Sequence, residues 1–402
     1  MKIIIKSLKF LIKALLSIVI LPFLILIRFL SFFLLIRVGF LYVERIGHLF
    51  ADLELYLSEK KLGIGPNSID IFFLSGKPSN SFAIDLAKRN LNTVNGMGFI
   101  IDLNNFLPFS EKHSYKPHVI RTSSRDISGT LNKVNPQLKF SPDENKNGEY
   151  FLNSIGLKKD QKFVCFIIRD NQYLDTEFPD KDFSYHSYRD SDISKFYPSF
   201  HYLLQEGYAI FRMGKHVSSA VEIDHPLFID YARRNFKSDF LDIWLMANCQ
   251  FTVSTGTGLD EVTNAFRKPI CYVNYLPLVL FNSYNPKTLT TPKTLLDPIT
   301  KNPLSLEDII QNYSDLDAYH NKDILYVENS EIEIMDAIKE IKQKIDSNWH
   351  LNEEEMMIRN KFLKILKKWK NVHTFHSRNF KNSGNISFTY LKKRKYLFNE
   401  SI

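Results

Sequence analysis

The sequence predicts an α/β protein built on parallel sheets in two halves, and three observations lead there. Short apolar runs rich in β-branched and aromatic residues alternate with helix-period stretches along most of the 402 residues. The length suffices for two domains with accessory segments, and 44% hydrophobic with 24% charged residues is a globular composition. Residues 249–274, CQFTVSTGTGLDEVTNAFRKPICYVN, pass from strand through a glycine turn and helix to a second strand with almost no slack.

The elements follow in chain order. Residues 14–36 are almost wholly apolar, with Arg28 the only charge before the segment's end, and Lys2, Lys6, Lys9 and Lys13 precede them. That run is long enough to cross a bilayer, and no small-residue cleavage site ends it, so residues 1–37 read as an uncleaved membrane segment. Two geometries fit: a single span, or a helix broken at Pro22 that enters and leaves on one face with its lysines beside anionic head groups. The positive-inside rule alone sends the body across the membrane, but Arg37 and Arg45 beyond the apolar run offset that bias. Residues 38–150 read as a first α/β domain, with strands at 38–43, 69–75 and 97–103, helices at 49–62 and 82–92, and loops over 104–150. Residues 151–330 read as a second: strands at 163–168 and 208–212, helices at 195–205, 228–234 and 241–247, then the glycine-turn motif. Residues 331–402 hold amphipathic helices at 332–345 and 353–370 and a basic end, Lys392, Lys393, Arg394 and Lys395.

Composition also excludes. The net charge of +8 gathers at the termini rather than in aromatic-interleaved stripes, which speaks against a nucleic-acid partner. Cys165, Cys249 and Cys271 sit in or beside apolar runs without metal or redox spacing, and read as buried thiols of a reducing compartment. That places the body on the cytoplasmic side of an inner membrane.

Polar residues fall where three strands of the second half end: Arg169 and Asp170, then Arg212, Gly214 and Lys215, then Ser254, Thr255, Gly256, Thr257 and Gly258, with Glu261 following. In a parallel sheet such ends open on one crevice. Arginine and lysine there neutralise a diphosphate, the glycine turn brings backbone amides to it, and a carboxylate accepts from sugar hydroxyls, which is the chemistry of an activated-sugar pocket. The plain alternative is strand-end salt bridges, with Thr255 or Thr257 capping the helix and Asp260 and Glu261 complementing its dipole. Neither the P-loop nor the complete dinucleotide fingerprint is present.

RIGHL at residues 45–49, FRMGK at 211–215 and SDFLDIWLMANCQFTVSTGTGLDEVTNAF at 238–266 together resemble a largely uncharacterised family of bacterial surface-polysaccharide glycosyltransferases, from about residue 38 to the carboxyl terminus. The resemblance implies a GT-B-like fold, two Rossmann-like domains facing across a cleft. It makes residues 38–150 the acceptor side and 151–330 the nucleotide-sugar donor domain. Arg169, Asp170 and the block 239–258 are more distantly similar to the donor region of fucosyltransferases, without the preceding histidine and paired arginines: Ile167 and Ile168 stand there.

The implied reaction passes a hexosyl or deoxyhexosyl group from a nucleotide diphosphate to a hydroxyl of a glycan or lipid-linked acceptor. Positive side chains serve in place of a bound metal, and there is no cofactor beyond the nucleotide-sugar co-substrate. An inverting enzyme needs a general base, for which His48, Asp170 and Asp190 stand out, His48 first because it follows Gly47 at the end of the first strand. Arg45, Gly47 and Arg189 join the acceptor side. Asp190 and Asp192 have the spacing of a metal-binding pair but lie in a polar loop. A pyruvyl-transferase-like enzyme, a silent membrane-bound scaffold, and an outer-face enzyme with a lipid-linked donor are the competing readings.

Overall fold

A computed structural model of the chain describes residues 2–74, 76–170, 172–177, 180, 182–314, 316–321, 324–376, 380 and 384–399; of these, 2–10, 173, 174, 185, 316, 320 and 321 are described as backbone. The side chains of Lys2, Lys6 and Lys9 therefore lie outside the description, as does Ser75 at the end of an expected strand. Two compact units emerge, one of residues 1–125 with 136–138, the other of 126–135 with 139–402.

The first unit opens with a helix, Lys2–Leu30, that continues unbroken through Pro22, so of the two geometries open to this segment the one with a break at Pro22 is absent. Its later turns pack Ile20, Leu24 and Ile27 against Val38, Phe73 and Ile100. Strands β1 (Ile36–Leu41), β2 (Ile69–Leu74) and β3 (Asn92–Asn95) form a parallel sheet in that order. Arg37 is spent within this sheet: across the ladder its Nε and Nη2 each donate to a carboxylate oxygen of buried Asp70 at 2.7 Å. The strand expected over 97–103 is instead the helix Phe99–Phe106, and the strand is β3 just before it. A short apolar run carries no period that separates a strand from a buried helix turn. Residues 136–138 stay with this unit because buried Glu54 accepts the backbone N–H groups of Gln137 and Leu138 at 2.9 and 3.0 Å.

Among its described residues the second unit holds nine strands: β4 (Phe163–Ile167), β5 (Ala209–Arg212), β6 (Phe228–Ile229), β7 (Phe251–Ser254), β8 (Ile270–Tyr275), β9 (Thr288–Pro292), β10 (Thr294–Leu296), β11 (Leu325–Val327) and β12 (Asn385–Ile386). Seven form one parallel sheet in the order β12-β9-β8-β7-β4-β5-β6. Its strands are buried almost throughout, because helices cover both faces. Phe200 and Leu203 of Tyr197–Gln205, with Ile334, Ile338 and Ile341 of Glu331–Asp346, close one face over Val164, Phe166 and Val253.

Two expectations change here. Residues 228–234 are β6 followed by a 3₁₀ turn, Tyr231–Arg233, rather than a helix. Residues 104–150 are not all loop: Pro142–Ser154 is a helix with a full capping box at Ser141 and Glu144, and it packs in the second unit. The carboxyl-terminal helices also belong to this unit, since buried Glu340 takes the hydroxyl of Ser387 at 2.7 Å and the N–H of Phe388 at 2.8 Å. Arg394 of the basic end pairs with Glu333 at 2.5 Å. Cys165, Cys249 and Cys271 are buried free thiols, as their sequence surroundings suggest.

Gly148 measures how tightly Pro142–Ser154 is held, because a Cβ there would come within 2.0 Å of the Trp244 indole. Ala is the better helix former, yet overpacking should dominate: Gly148→Ala is expected to lower stability by about 1–3 kcal/mol. Denaturant melts of the two proteins check this, and a more stable variant would contradict the packing.

Candidate active site

The order of the large sheet locates the site in the second unit. From β4 the chain moves outward through β5 and β6, then returns to the other side of β4 with β7 and moves away again through β8 and β9. Beyond the carboxyl ends of two strands that diverge in this way lies the usual ligand crevice of an open α/β sheet. The loops there begin at Ile168 after β4 and at Thr255 after β7.

Backbone and hydroxyl bonds stitch the two loops together. Thr255 N–H donates to the carbonyl of Ile167 at 3.2 Å, and the Arg169 N–H donates to Thr255 Oγ1 at 2.9 Å. The turn itself hangs on Asp260, buried beneath it: Ser254 Oγ and Thr257 N–H both donate to Asp260 Oδ2, at 2.7 and 2.8 Å, while Ser254 Oγ accepts the Gly256 N–H at 3.0 Å. Burial pushes the Asp260 carboxyl up to about 6 despite these donors. Gly256 takes φ +87°, and a Cβ there would meet the Tyr275 ring at 3.0 Å, so this position requires glycine on two counts.

One guanidinium, that of Arg189, reaches this turn, and that of Arg169 binds the loop beside it. Arg169 Nε donates to Asp190 Oδ1 at 3.2 Å, and Arg189 donates to the carbonyl of Gly256. Burial and then the neighbouring Arg189 charge bring the Arg169 guanidinium down to about 10, still protonated at neutral pH. Burial raises Asp190 above the usual carboxylate range although Arg169 opposes it. Lys293, itself buried, donates to the Asp190 carbonyl at 2.6 Å and to Glu328 at 3.2 Å, which fixes the loop from below. Two buried polar atoms of this cluster, Arg169 Nη2 and Thr257 Oγ1, have no protein partner.

Several residues expected at the pocket stand elsewhere or do other work. Arg212 turns inward to a buried pair with Asp230 at 3.1 Å and to the Ser219 carbonyl at 3.0 Å, because a guanidinium on a fully buried strand needs a carboxylate beside it. Gly214 serves the turn after β5 at φ +148°, and Lys215 there reaches Glu177 at 2.6 Å. Asp170 clamps loops, accepting from Gln172 N–H at one oxygen and from the Ser218 N–H and hydroxyl at the other, which leaves it poorly placed as a base. Glu261 accepts from Tyr284 at 3.0 Å and Asn264 at 3.1 Å. Arg189, assigned to the acceptor side, sits at the glycine turn of the second unit because its neighbour Asp190 is drawn to Arg169. The helix after the turn, Asp260–Ala265, is only 6 residues, shorter than expected and a weak source of dipole. Asp192 caps a 3₁₀ turn through Ser194, so the Asp190 and Asp192 carboxylates do separate jobs. No group of three or more His, Cys, Asp or Glu side chains able to hold a metal occurs among the described residues.

The first unit carries a second cluster. Arg45 is the N-cap of Ile46–Lys61 without a side-chain cap bond, Gly47 lies in its first turn, and His48 follows half-buried beside the Tyr42 ring at 5.6 Å. His48 Nδ1 lies 2.8 Å from Ser124 Oγ, and Ser124 Oγ lies 2.7 Å from Oδ1 of buried Asp52. With Asp52 ionised, the one hydroxyl proton of Ser124 goes to the carboxylate, so His48 Nδ1 must be the donor and Nε2 holds the lone pair. Ser123 and Ser124 both take left-handed backbone, at φ +51° and +60°, so the loop spends conformational energy to present this hydroxyl. Burial first, then the Arg45 charge, lower the His48 pKa, which keeps the ring neutral at pH 7. Asp52 and Ser124 were invisible as a pair in the sequence because 72 residues separate them. Asp260 had a local signal, three residues after Thr257 in the spacing of a capping box.

No family model and no curated protein matches the sequence. Among solved structures, the chain is similar to ADP-heptose lipopolysaccharide heptosyltransferase II of Escherichia coli, at 10% identity over 77% of this chain and 100% of that one, TM-score 0.39. A glycosyl transferase family 9 protein of Veillonella parvula aligns at 12% identity over 77% and 97%, TM-score 0.42. The iron-containing dodecameric glycosyltransferase TibC of enterotoxigenic E. coli aligns at 11% over 79% and 78%, TM-score 0.39. Likeness at that level assigns neither a family nor an activity.

The Arg45 charge makes a measurable prediction. Removing it in Arg45→Ala should raise the His48 pKa toward its ordinary 6.5, read by histidine NMR titration. Since the folded value lies below the unfolded one, native His48 binds fewer protons, and its share of stability is present above pH 6.5 and lost as pH falls through the folded value. An unmoved or lowered pKa in the variant would contradict the electrostatic account.

Proposed function

We propose that the chain is a glycosyltransferase of GT-B-like type that moves a sugar from a nucleotide diphosphate to an acceptor hydroxyl in bacterial surface-polysaccharide or glycan synthesis. One observation carries the reading: at the strand-order reversal, a buried guanidinium nitrogen of Arg169 and the hydroxyl of Thr257 are unpartnered beside a turn that only glycine satisfies. Polar atoms left so in a native fold want a ligand. Arg169 and Arg189, with the Thr257 hydroxyl, suit the oxygens of a diphosphate, whereas the Thr255, Gly256 and Thr257 amides that the sequence offered to it are taken by Ile167, Ser254 and Asp260.

In the proposed reaction the acceptor oxygen bonds to the anomeric carbon, the bond from that carbon to the diphosphate oxygen breaks, and the acceptor proton passes to a base. Charge develops on the departing diphosphate, which the two guanidinium groups stabilise without a metal ion. His48 of the first unit is the proposed base, since its Nε2 lone pair is fixed by Ser124 and Asp52. The helix Leu11–Leu30 is long and apolar enough to cross a bilayer, and we assign it as the membrane anchor, with the body on the cytoplasmic side of the inner membrane.

Arg169→Gln should lower donor hydrolysis or transfer by about 10²–10³-fold, the usual loss for one transition-state donor. Lys215→Ala should cost less than about tenfold, because Lys215 is a half-exposed ion-pair partner of Glu177. Assays with a panel of nucleotide sugars check this. Full activity of folded Arg169→Gln would sink the site assignment, and preserved cellular function without any transfer would favour a scaffold.

A further inference from the structure

The apolar surface of the first unit does not stop where its helix ends. Arg28, the one charge in the apolar stretch, is turned into the protein: Nη1 donates to Leu24 O at 2.7 Å, Nη2 to Asn104 Oδ1 at 2.8 Å and Nε to the carbonyl of Pro108 at 2.8 Å. Lys112 Nζ meets Ser31 Oγ at 3.1 Å. These bonds hold the segment around Pro108 directly against the helix end, although 80 residues intervene. On either side of Pro108 stand Phe106 and Phe109, 87% and 75% exposed, and after the helix stand Phe32 and Phe33, 88% and 87% exposed with rings 5.2 Å apart.

Helical spacing adds direction. Lys2, Lys6, Lys9 and Lys13 fall within an arc of about 60° at 100° per residue, and Ile20, Leu24 and Ile27 continue it. That last trio is the face docked on the unit. Leu11, Leu15, Ile18 and Phe29 lie on the opposite face, exposed. From Leu11 onward one side of the helix thus faces the protein, and the other is apolar and exposed.

We propose that Phe106 and Phe109, with Phe32 and Phe33, form an aromatic ledge that enters the interfacial layer of a lipid bilayer, so that the membrane is held by two separate segments of the chain. Aromatic rings are favoured at that depth, and an arginine withdrawn into protein carbonyls leaves no exposed charge in the apolar stretch of the helix itself. The lysine stripe provides the attraction to anionic head groups. The ledge fixes how deeply the first unit sits, which a helix alone would leave free to tilt. This inference rests on the helix being a membrane anchor.

The test uses the full-length chain in vesicles of phosphatidylcholine and phosphatidylglycerol, with and without lipids brominated high on the acyl chain. Phe109→Trp adds a reporter on the ledge, and Tyr150→Trp adds one at an exposed site of the second unit. After subtraction of the native tryptophan signal, bromine should quench the Phe109→Trp emission about twofold or more and leave that of Tyr150→Trp unchanged. Protein that floats with the vesicles while the Phe109→Trp emission is unquenched would overturn the ledge and leave the anchor intact. Protein that does not float at all would overturn both.

Discussion

Everything proposed for the second unit depends on one pairing, that of β4 with β7. Its ladder sets Val164 beside Phe251 and Ile167 beside Ser254, so the two loops that carry Arg169 and Thr255, 86 residues apart, leave the sheet at the same level. Had β7 joined the far edge beyond β6, Arg169 and the glycine turn would be separated by two strands. Reversal of strand order is what leaves a gap between diverging loops, and the pairing is paid for by apolar burial on both faces rather than by the polar residues at its end.

Those polar residues are costly. A buried carboxylate with a pKa near 6 and a guanidinium lowered to about 10 both report charge held where water is scarce. Asp260 offsets its cost by holding the turn through Ser254 and Thr257, and Asp190 offsets that of Arg169 in part. Arg169 Nη2 and Thr257 Oγ1 stay unpartnered at the strand-order reversal, as does Ser191 Oγ in the neighbouring loop. Polar atoms held open at that place set binding geometry in advance of a ligand, which is where electrostatic stabilisation is most effective. The first unit follows the same logic with fewer parts: a buried carboxylate, a hydroxyl in strained backbone, and an imidazole whose proton is thereby placed.

Local patterns were legible in the sequence. The motif from Phe251 to Val273 reads directly as strand, turn, helix and strand, and the structure has each element, with the helix trimmed to 6 residues. The ends of β4 and β7 were both marked by polar residues after apolar runs, and topology does bring them together. What escaped was pairing over distance. Arg212 looks like Arg169 in sequence, and each pairs with an aspartate, Asp230 and Asp190; what separates them is the sheet order, which puts the end of β4 and not that of β5 at the reversal. Arg189 reads toward the acceptor side in the sequence, and only the bond of Asp190 to Arg169 brings it to the glycine turn. Strand β9 is polar, with Thr288, Thr290 and Thr291 buried, and β10 to β12 are only two or three residues long, so no apolar alternation announced them.

The central claim is that the β4 and β7 loops bind a nucleotide sugar, and thermal stabilisation measures that most directly, since a ligand that binds only the native state raises its melting temperature by mass action. Full-length protein in detergent should be melted with UDP-, GDP-, ADP-, CMP- and dTDP-linked sugars, alongside Arg169→Gln. The account predicts stabilisation by one nucleotide class in the wild type and its loss in the variant. Stabilisation that survives Arg169→Gln, or none from any nucleotide sugar with the folded wild type, would contradict it.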